Sequence, residues 1–306
     1  MNAGIKFEAL SRRVHAALRP GGGWFVNNAG WVVGTQTTLV IDTFASERRT
    51  LELMDAVRTS RQAAGAGHTN QLLVLTHAHG DHANGAGLLE AEGVTVHASA
   101  QACEEMQTLG IQTFPGLLCP PDWGAVSSPK ACEALTGTQI FDLGGCDAEV
   151  TAIPFPAHTT GDVIVYLPAE RILFAGDLVW NQVTPLAFSG SVTGWIDQLD
   201  SLAGRHAETV VPGHGAMGGP ALIDSTRRYL DWSVSLAQEM IAGAEMSCSP
   251  LMRRRAGLEW DGWACPERDL ANVARAVADI DGMPYDAAAA MTAMREHRGG
   301  PIRLEP

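Results

Sequence analysis

Apolar residues along this chain follow two periods, and the period changes repeatedly. Short apolar runs stand between glycine, asparagine and proline turns: GGGWFVNNAGWVVG with TTLVIDTF, then QLLVLT, VTVHAS, EVTAIPF, DVIVYLP, RILFAGD and AETVVPGHG. Runs of this length bounded by turn residues predict strands, and an uninterrupted one such as QLLVLT predicts a strand covered on both faces. The segments between them carry helical spacing. SERRTLELMDAVRTS predicts a helix with Ser46 as N-cap and Leu51, Met54, Ala56 and Val57 turned inward. GAGLLEAE and QACEEMQTLG predict short helices. SVTGWIDQLDSLAG predicts an amphipathic one, with Trp195, Ile196, Leu199 and Leu202 on one face, and PALIDSTRRYLDWSVSLAQEMIAGA the longest.

Strands and then helices run through residues 1–170 and again through 171–235, which is consistent with two stacked halves. We expect a single domain over 1–306, with a core of about 20–240 and a helical extension over 241–306. Residues 111–137 contain Pro115, Pro120, Pro121 and Pro129 and predict irregular structure long enough for a lid. Beyond 250 the pattern predicts a linker with MRRRAG exposed, then helices near 267–280 and 284–297.

Composition narrows the function classes. A net charge of −13 repels phosphate backbones and anionic lipid, which argues against nucleic acid and membrane surfaces as partners. The six cysteines, at 103, 119, 132, 146, 248 and 265, form no C-x-x-C pair. They predict free thiols in a reducing cytoplasm rather than a zinc finger or a disulfide framework. The N-terminal stretch lacks the apolar core of a signal peptide, and no run approaches the roughly 18 apolar residues of a membrane span.

One polar cluster interrupts this picture. In LVLTHAHGDHANG, three histidines and an aspartate fall within six residues directly after an apolar strand. His77 and His79 alternate with Ala78, so an extended backbone points both rings the same way. Gly80 permits a sharp turn before Asp81 and His82. Neutral imidazoles and carboxylates are ligands of divalent zinc, though iron and manganese accept similar donors. Four ligands do not close two sites. His158 after TAIPFPA, Asp177 at the end of RILFAGD and His214 at the end of ETVVPGHG each terminate an apolar strand, where a loop can present them at a common edge. His15, His68, His97, His206 and His297 lie in no such setting and read as surface or satisfied histidines.

The blocks THAHGDH, PAHTTGD, LFAGDLV and VPGHG, in that order, resemble the metallo-β-lactamase superfamily over roughly residues 20–240. The resemblance implies an α+β fold, a four-layer αβ/βα sandwich with extra C-terminal helices here, and two zinc ions per chain at one edge. It implies that His77, His79 and His158 hold the first ion, that Asp81, His82 and His214 hold the second, and that Asp177 bridges them. Many true β-lactamases carry cysteine or serine where Asp177 stands, and aspartate there resembles the thioesterase-containing hydrolase branch. Such a site implies attack of a metal-activated water on an acyl carbonyl, with Asp81 holding or relaying its proton.

Substrate signals are weaker. Trp24, Asn27, Asn28 and Trp31, then Phe114 and Trp123, then Trp180, Asn181, Phe188 and Trp195 are candidate pocket walls. We single out Trp24, Asn28, Trp180, Asn181 and Phe188 as substrate-binding. Eight tryptophans against three tyrosines favour a broad aromatic or apolar substrate, although core packing accounts equally for many such rings. GGGWFVNNAGWVVG with THAHGDHANGAGL also resembles the cyclase–thioesterases of aromatic polyketide pathways that close a second ring and release a thioester. That resemblance implies a poly-β-ketone thioester on an acyl carrier protein. An acidic carrier would need a basic patch, for which Arg253–Arg255 or Arg227 with Arg228 are the candidates. A glyoxalase II-like thioesterase, a lactonase acting on small-molecule esters and a metal-bearing scaffold without catalysis are the alternatives.

Overall fold

The apolar runs pair into two sheets. The computed structural model describes residues 4–112, 114, 116–119, 121–243 and 254–304. The first sheet orders its strands β1 (Lys6–Ala9), β2 (Val14–Leu18), β3 (Ala29–Val33), β4 (Thr37–Ile41), β5 (Asn70–Val74), β6 (Thr95–Ser99) and β8 (Glu133–Leu135). The first four strands pair antiparallel, and β4, β5, β6 and β8 pair parallel. Parallel neighbours need crossovers, which α1 (Glu47–Ala63), α3 (Ala86–Ala91) and α4 (Ala100–Leu109) supply. The second sheet orders β13 (Thr209–His214), β12 (Ile172–Trp180), β11 (Val163–Leu167), β10 (Asp147–Ala152) and β9 (Thr138–Asp142). A separate pair joins β7 (Leu118–Cys119) to β14 (Ile302–Arg303).

Three apolar layers hold the sheets and helices together. Val14, Ala16, Leu39, Ile41 and Val74 of the first sheet meet Val150, Val163, Val165, Phe174 and Val211 of the second. On its other face the first sheet packs Trp31, Val40 and Leu73 against Leu53 and Val57 of α1 and Met106 of α4. The second sheet's outer face receives α5 (Val192–Ala203), α6 (Ala221–Ile241) and α7 (Arg268–Asp281) through Trp195, Leu199, Tyr229, Leu230 and Val273. The order is therefore helix, sheet, sheet, helix, the four-layer α+β sandwich. A further helix, α8 (Ala287–His297), packs Ala290 and Met294 beside Trp24, Phe25 and Leu186.

Several expectations need correction. The chain changes sheets between Leu135 and Thr138, not near residue 170, because β9, β10 and β11 join the second sheet. In α1 the inward face is Thr50, Leu53 and Val57, with Arg49, while Leu51 is 44% exposed. Spacing of three and four residues from Thr50 sets that face, and the apolar identity of Leu51 does not. Cys103 of α4 and Cys132, just before β8, form a disulfide across 29 residues, so these two are not free thiols. Helix and strand bring their Cα atoms to 5.6 Å, within bonding reach. Cys119, Cys146 and Cys265 are free, and Cys248 lies outside the described residues.

The MRRRAG segment is not uniformly exposed. Arg253 lies outside the described residues and Arg254 pairs with Glu239 at the surface, but Arg255 is 2% exposed. Its guanidinium donates to both carboxylate oxygens of Asp269 at 2.7 Å, while Tyr229 donates to the same carboxylate at 2.6 Å. Asn272 donates to the Tyr229 hydroxyl and to the Pro185 carbonyl, and accepts from the Ala187 amide. This buried network fastens α7 to α6 and to the segment 184–187.

Removing one member strands the others. Asp269→Ala leaves a buried guanidinium without its counter-charge and is expected to cost about 3–5 kcal/mol. Urea unfolding of this variant beside the wild type checks the value; a loss under 1 kcal/mol would show that water reaches Arg255.

Candidate metal centre

Two strand ends, one loop, one strand interior and one helix start converge at one edge of the sheets; Asp177 lies within a strand that runs on to Trp180, not at its end as expected. β5 ends at Val74 and the chain runs on through Thr76 to His77 and His79, and then into α2 (Gly80–Ala83), whose first turn carries Asp81 and His82. The β10–β11 connection presents His158, β12 carries Asp177, and β13 ends in His214. Gly80 has an ordinary negative φ, so its role differs from the turn expected of it. A Cβ there would stand 2.3 Å from the Gln112 carbonyl oxygen, so close approach requires glycine. Gly213 is required in the same way: its Cβ would lie 1.8 Å from Oδ1 of Asp177.

All seven residues are buried. Ligating atoms of His77, His79, His158 and Asp177 lie within 4.8 Å of one another, as do those of Asp81, His82 and His214. Asp177 joins the two groups. Its Oδ2 is 3.3 Å from His158 Nε2, 3.8 Å from His77 Nε2 and 3.5 Å from His214 Nε2, and its Oδ1 is 3.2 Å from His82 Nε2. Asp81 lies 3.1 Å from His214 Nε2.

Neighbours fix which nitrogen each ring turns inward. Thr76 Oγ1 is 3.1 Å from Nδ1 of His77, leaving Nε2 for the cluster. Ser189 Oγ is 3.1 Å from Nε2 of His79, so His79 offers Nδ1, which faces His158 Nε2 at 3.0 Å. Asp42 holds Nδ1 of His82 at 2.8 Å and is itself held by the amide and hydroxyl of Thr76. His214 stacks on Trp180, ring centres 4.3 Å apart and nearly coplanar. The inward Nε2 atoms of His77 and His82 and the Oδ1 of Asp177 are buried with no hydrogen-bond partner. Orphaned acceptors of this kind, on imidazole and carboxylate donors, fit divalent cations.

Charge balance leads to the same place. Burial pushes His77, His79 and His158 below the ordinary imidazole value, His158 to about 3, so these rings favour the neutral, ligating form. Burial is the largest single influence on His82 and His214 and opposes charge, but the carboxylates around them together overcome it and raise both: Asp177, Asp42 and Asp81 at His82, Asp177 and Asp81 at His214. Burial alone would raise Asp81; His82 and the bond from His214 bring it down to about 2. Asp177 is held low by His214, His82 and His158 against the same burial cost. The carboxylates thus stay ionised only with positive charge among the rings.

The candidate substrate residues divide. A small cavity is lined by His79, Asp81, His158, Asp177 and His214 of the cluster and by Trp24, Phe25, Phe114, Trp180, Leu186 and Arg268. Trp24 and Trp180 therefore face it. Phe188 packs edge-on against Phe114 and Tyr285. The Asn28 amide is spent on the Pro212 and Gly215 carbonyls and on the Arg19 amide, and Asn181 donates to Ala216. Asn27 donates to the Asn28 and Thr43 carbonyls. Trp31 stacks on His15 in the first sheet, and Trp195 packs under His158 while donating to Leu178. These last are framework rather than wall. Asp42, Ser189 and Arg268 were not anticipated. Only Asp42 left a signal, since TTLVID ends on an aspartate just as RILFAGD does.

A four-layer sandwich carrying two histidine–aspartate ligand groups at one edge defines a metal-binding hydrolase class. The Metallo-beta-lactamase superfamily profile matches residues 22–214, and the chain belongs to that superfamily. Relatives include a type 2 metallo-beta-lactamase of Bacteroides fragilis, 27% identical over 236 residues that span 74% of this chain and 86% of that one. An acyl-coenzyme A thioesterase, MBLAC2, of Gallus gallus is 28% identical across 62% of this chain and 73% of its own. The atrochrysone carboxyl ACP thioesterase AacuM of Aspergillus aculeatus is 28% identical across 70% of this chain and 59% of its own. Among solved structures, a metallo-beta-lactamase from Pontibacter korlensis shares the fold, with a TM-score of 0.60 and 23% identity over 74% of this chain and 99% of that one.

Three outcomes test the centre. Metal analysis of purified protein is expected to find up to two equivalents, and Asp177→Ala to lose metal while keeping its circular dichroism, because the sheets rather than the cluster supply the core. Asp42→Ala, which frees the His82 ring, is expected to weaken metal about 10–100-fold in a chelator competition. Unchanged affinity would show that Asp42 does not orient His82.

Proposed function

We propose that this protein is a zinc-dependent cyclase and thioesterase acting on an aromatic poly-β-ketone thioester carried by an acyl carrier protein. The observation that carries the reading is Asp177, one carboxylate reaching both ligand groups beneath an aromatic wall. His77, His79 and His158 would hold one zinc, Asp81, His82 and His214 the other, with Asp177 between them. When bound, two zinc ions would supply Lewis acidity and lower the pKa of a bound water from 15.7 to roughly 7. The chain's own residues do the rest. Asp81, acceptor-only when ionised, takes the hydrogen bond of the attacking water and orients it. Trp24, Phe25, Phe114 and Trp180 pack the flat acyl group and exclude bulk water, which strengthens every polar contact inside. Hydrolysis breaks the C–S bond, with hydroxyl going to the acyl carbon and the proton to the thiolate. Ring closure is an aldol condensation at a ketone of the same acyl chain: an enolate carbon bonds to the ketone carbon, and the resulting hydroxyl leaves as water with an adjacent hydrogen.

The two relatives named as thioesterases, one of them on an acyl carrier protein, support thioester chemistry here. Docking of an acidic carrier finds less support. Arg227 pairs with Asp200 and Asp231, Arg228 with Glu259, Arg254 with Glu239, and Arg255 is buried. No helix among the described residues is long and apolar enough to cross a membrane. A cytoplasmic location is part of the proposal, and the Cys103–Cys132 bond weighs against it, since disulfides persist mainly in oxidising compartments.

The reading is tested by comparing kcat/KM of the zinc-loaded protein for an aromatic poly-β-ketone thioester and for S-lactoylglutathione. The expected outcome is at least tenfold preference for the aromatic thioester with a cyclised product. Preference for the glutathione thioester, or release of linear acid alone, would overturn the cyclase assignment.

A further inference from the structure

Among the residues that line the cavity, the wall facing the ligand cluster is apolar except for Arg268. This arginine starts α7, beyond the segment 22–214 that defines the family. It is 2% exposed. Its guanidinium lies 4.3 Å from the Trp24 ring centre and 5.0 Å from that of Trp180, so two aromatic faces hold it flat. Nη1 donates to the Thr184 carbonyl at 2.9 Å, and Nε is buried with no partner. The adjacent Glu267 does not neutralise it, because that carboxylate accepts from Trp24 Nε1 at 2.7 Å and from Arg298 at 3.1 Å. Among the described residues, Nε of this buried guanidinium finds no acceptor and no carboxylate pairs with it, a costly arrangement in the absence of an anionic partner.

We infer that Arg268 is a specificity-determining residue of this cavity: it donates to a second, negatively charged oxygen on the acyl group, beyond the scissile carbonyl. Guanidinium matches planar oxygen acceptors in two-bond geometry, and its aromatic clamp fixes the plane in which they are read. Two acyl classes supply such an oxygen, a distal carboxylate and the enolate of a β-dicarbonyl. The inference rests on the thioesterase reading above for its substrate scaffold, while the oxygen-binding role is separable from it.

The experiment compares acetoacetyl, succinyl and butyryl thioesters of N-acetylcysteamine on wild type, Arg268→Met and Arg268→Lys. Wild type is expected to prefer an oxygen-bearing acyl group over butyryl by about 10–100-fold in kcat/KM, the worth of a hydrogen bond to a charged group. Arg268→Met, which keeps the packing volume, is expected to bring that ratio near one, and Arg268→Lys to recover part of it. Preference for acetoacetyl identifies the enolate source and preference for succinyl the carboxylate; either supports the inference. A ratio near one in wild type, or the same ratio in all three proteins, overturns it. Tryptophan fluorescence during titration with acetoacetate, succinate and the neutral butyramide gives a readout without turnover, since Trp24 and Trp180 flank the guanidinium. Wild type is expected to respond to at least one of the two anions and not to butyramide, and Arg268→Met to none. Should wild type cleave no thioester, the thioesterase reading falls and this titration decides alone: an equal response to all three compounds removes the role of Arg268. A wild-type response to none of them removes it equally.

Discussion

Five imidazoles and two carboxylates share one buried volume at the edge of the two sheets, and their mutual electrostatics constrains everything around them. Desolvation disfavours charge on every one of these groups. Yet Asp81 and Asp177 are held ionised, which requires cationic charge within a few ångströms. Two histidines are drawn toward protonation and three are kept neutral, so the protein alone meets the demand only in part. Divalent cations would meet it without protons, and the orphaned nitrogens of His77 and His82 could ligate them. Glycine at 80 and 213, the Asp42–Thr76 brace and the Ser189 contact all follow from packing these donors so closely.

That constraint explains the division of labour between the sheets. The first sheet contributes His77, His79, Asp81 and His82 from one contiguous turn, so their relative placement is local. The second contributes His158, Asp177 and His214 from three separate places, so their placement depends on the tertiary register. β12 and β13 run parallel with irregular pairing from Phe174 onward, which lets Asp177 and His214 approach the same point. Helices α6 and α7 cover the outer face, and the buried Arg255–Asp269–Tyr229 network ties them to the segment 184–187 that carries the cavity's Leu186 side. The C-terminal extension is thereby part of the site's architecture.

The candidate ligands could be picked out because histidines and aspartates directly after or within apolar strands are uncommon, and the structure brings all seven together, though Asp177 lies inside its strand rather than at the end. The strands and most helices were legible too, since period-two and helical patterns are set within a few residues. What escaped depends on contacts between distant segments. Strands β1 and β2 lie in MNAGIKFEALSRRVHAAL, where charged residues break the alternation. Asp42 acts on His82 only because β4 and β5 pair with Ile41 opposite Val74. Cys103 and Cys132 meet only once α4 folds back on the first sheet. Asn28 and Asn181 looked like pocket residues because asparagine near a site reads as polar lining, but backbone carbonyls consume their amides.

Arg268 is the clearest case of information that no local pattern carries. It stands 54 residues beyond His214, in a segment whose helical spacing announces only an amphipathic helix. Its place in the cavity follows from three tertiary facts: Asn272 and Asp269 anchor α7, Glu267 anchors Trp24, and Trp180 sits between His214 and the guanidinium. The same tryptophan that stacks on a metal-ligand candidate also clamps Arg268 on the apolar wall. Chemistry at the cluster and recognition of the acyl group are then mechanically linked through a single indole. A substitution at Trp180 would disturb both, whereas one at Arg268 would leave the imidazole stack in place.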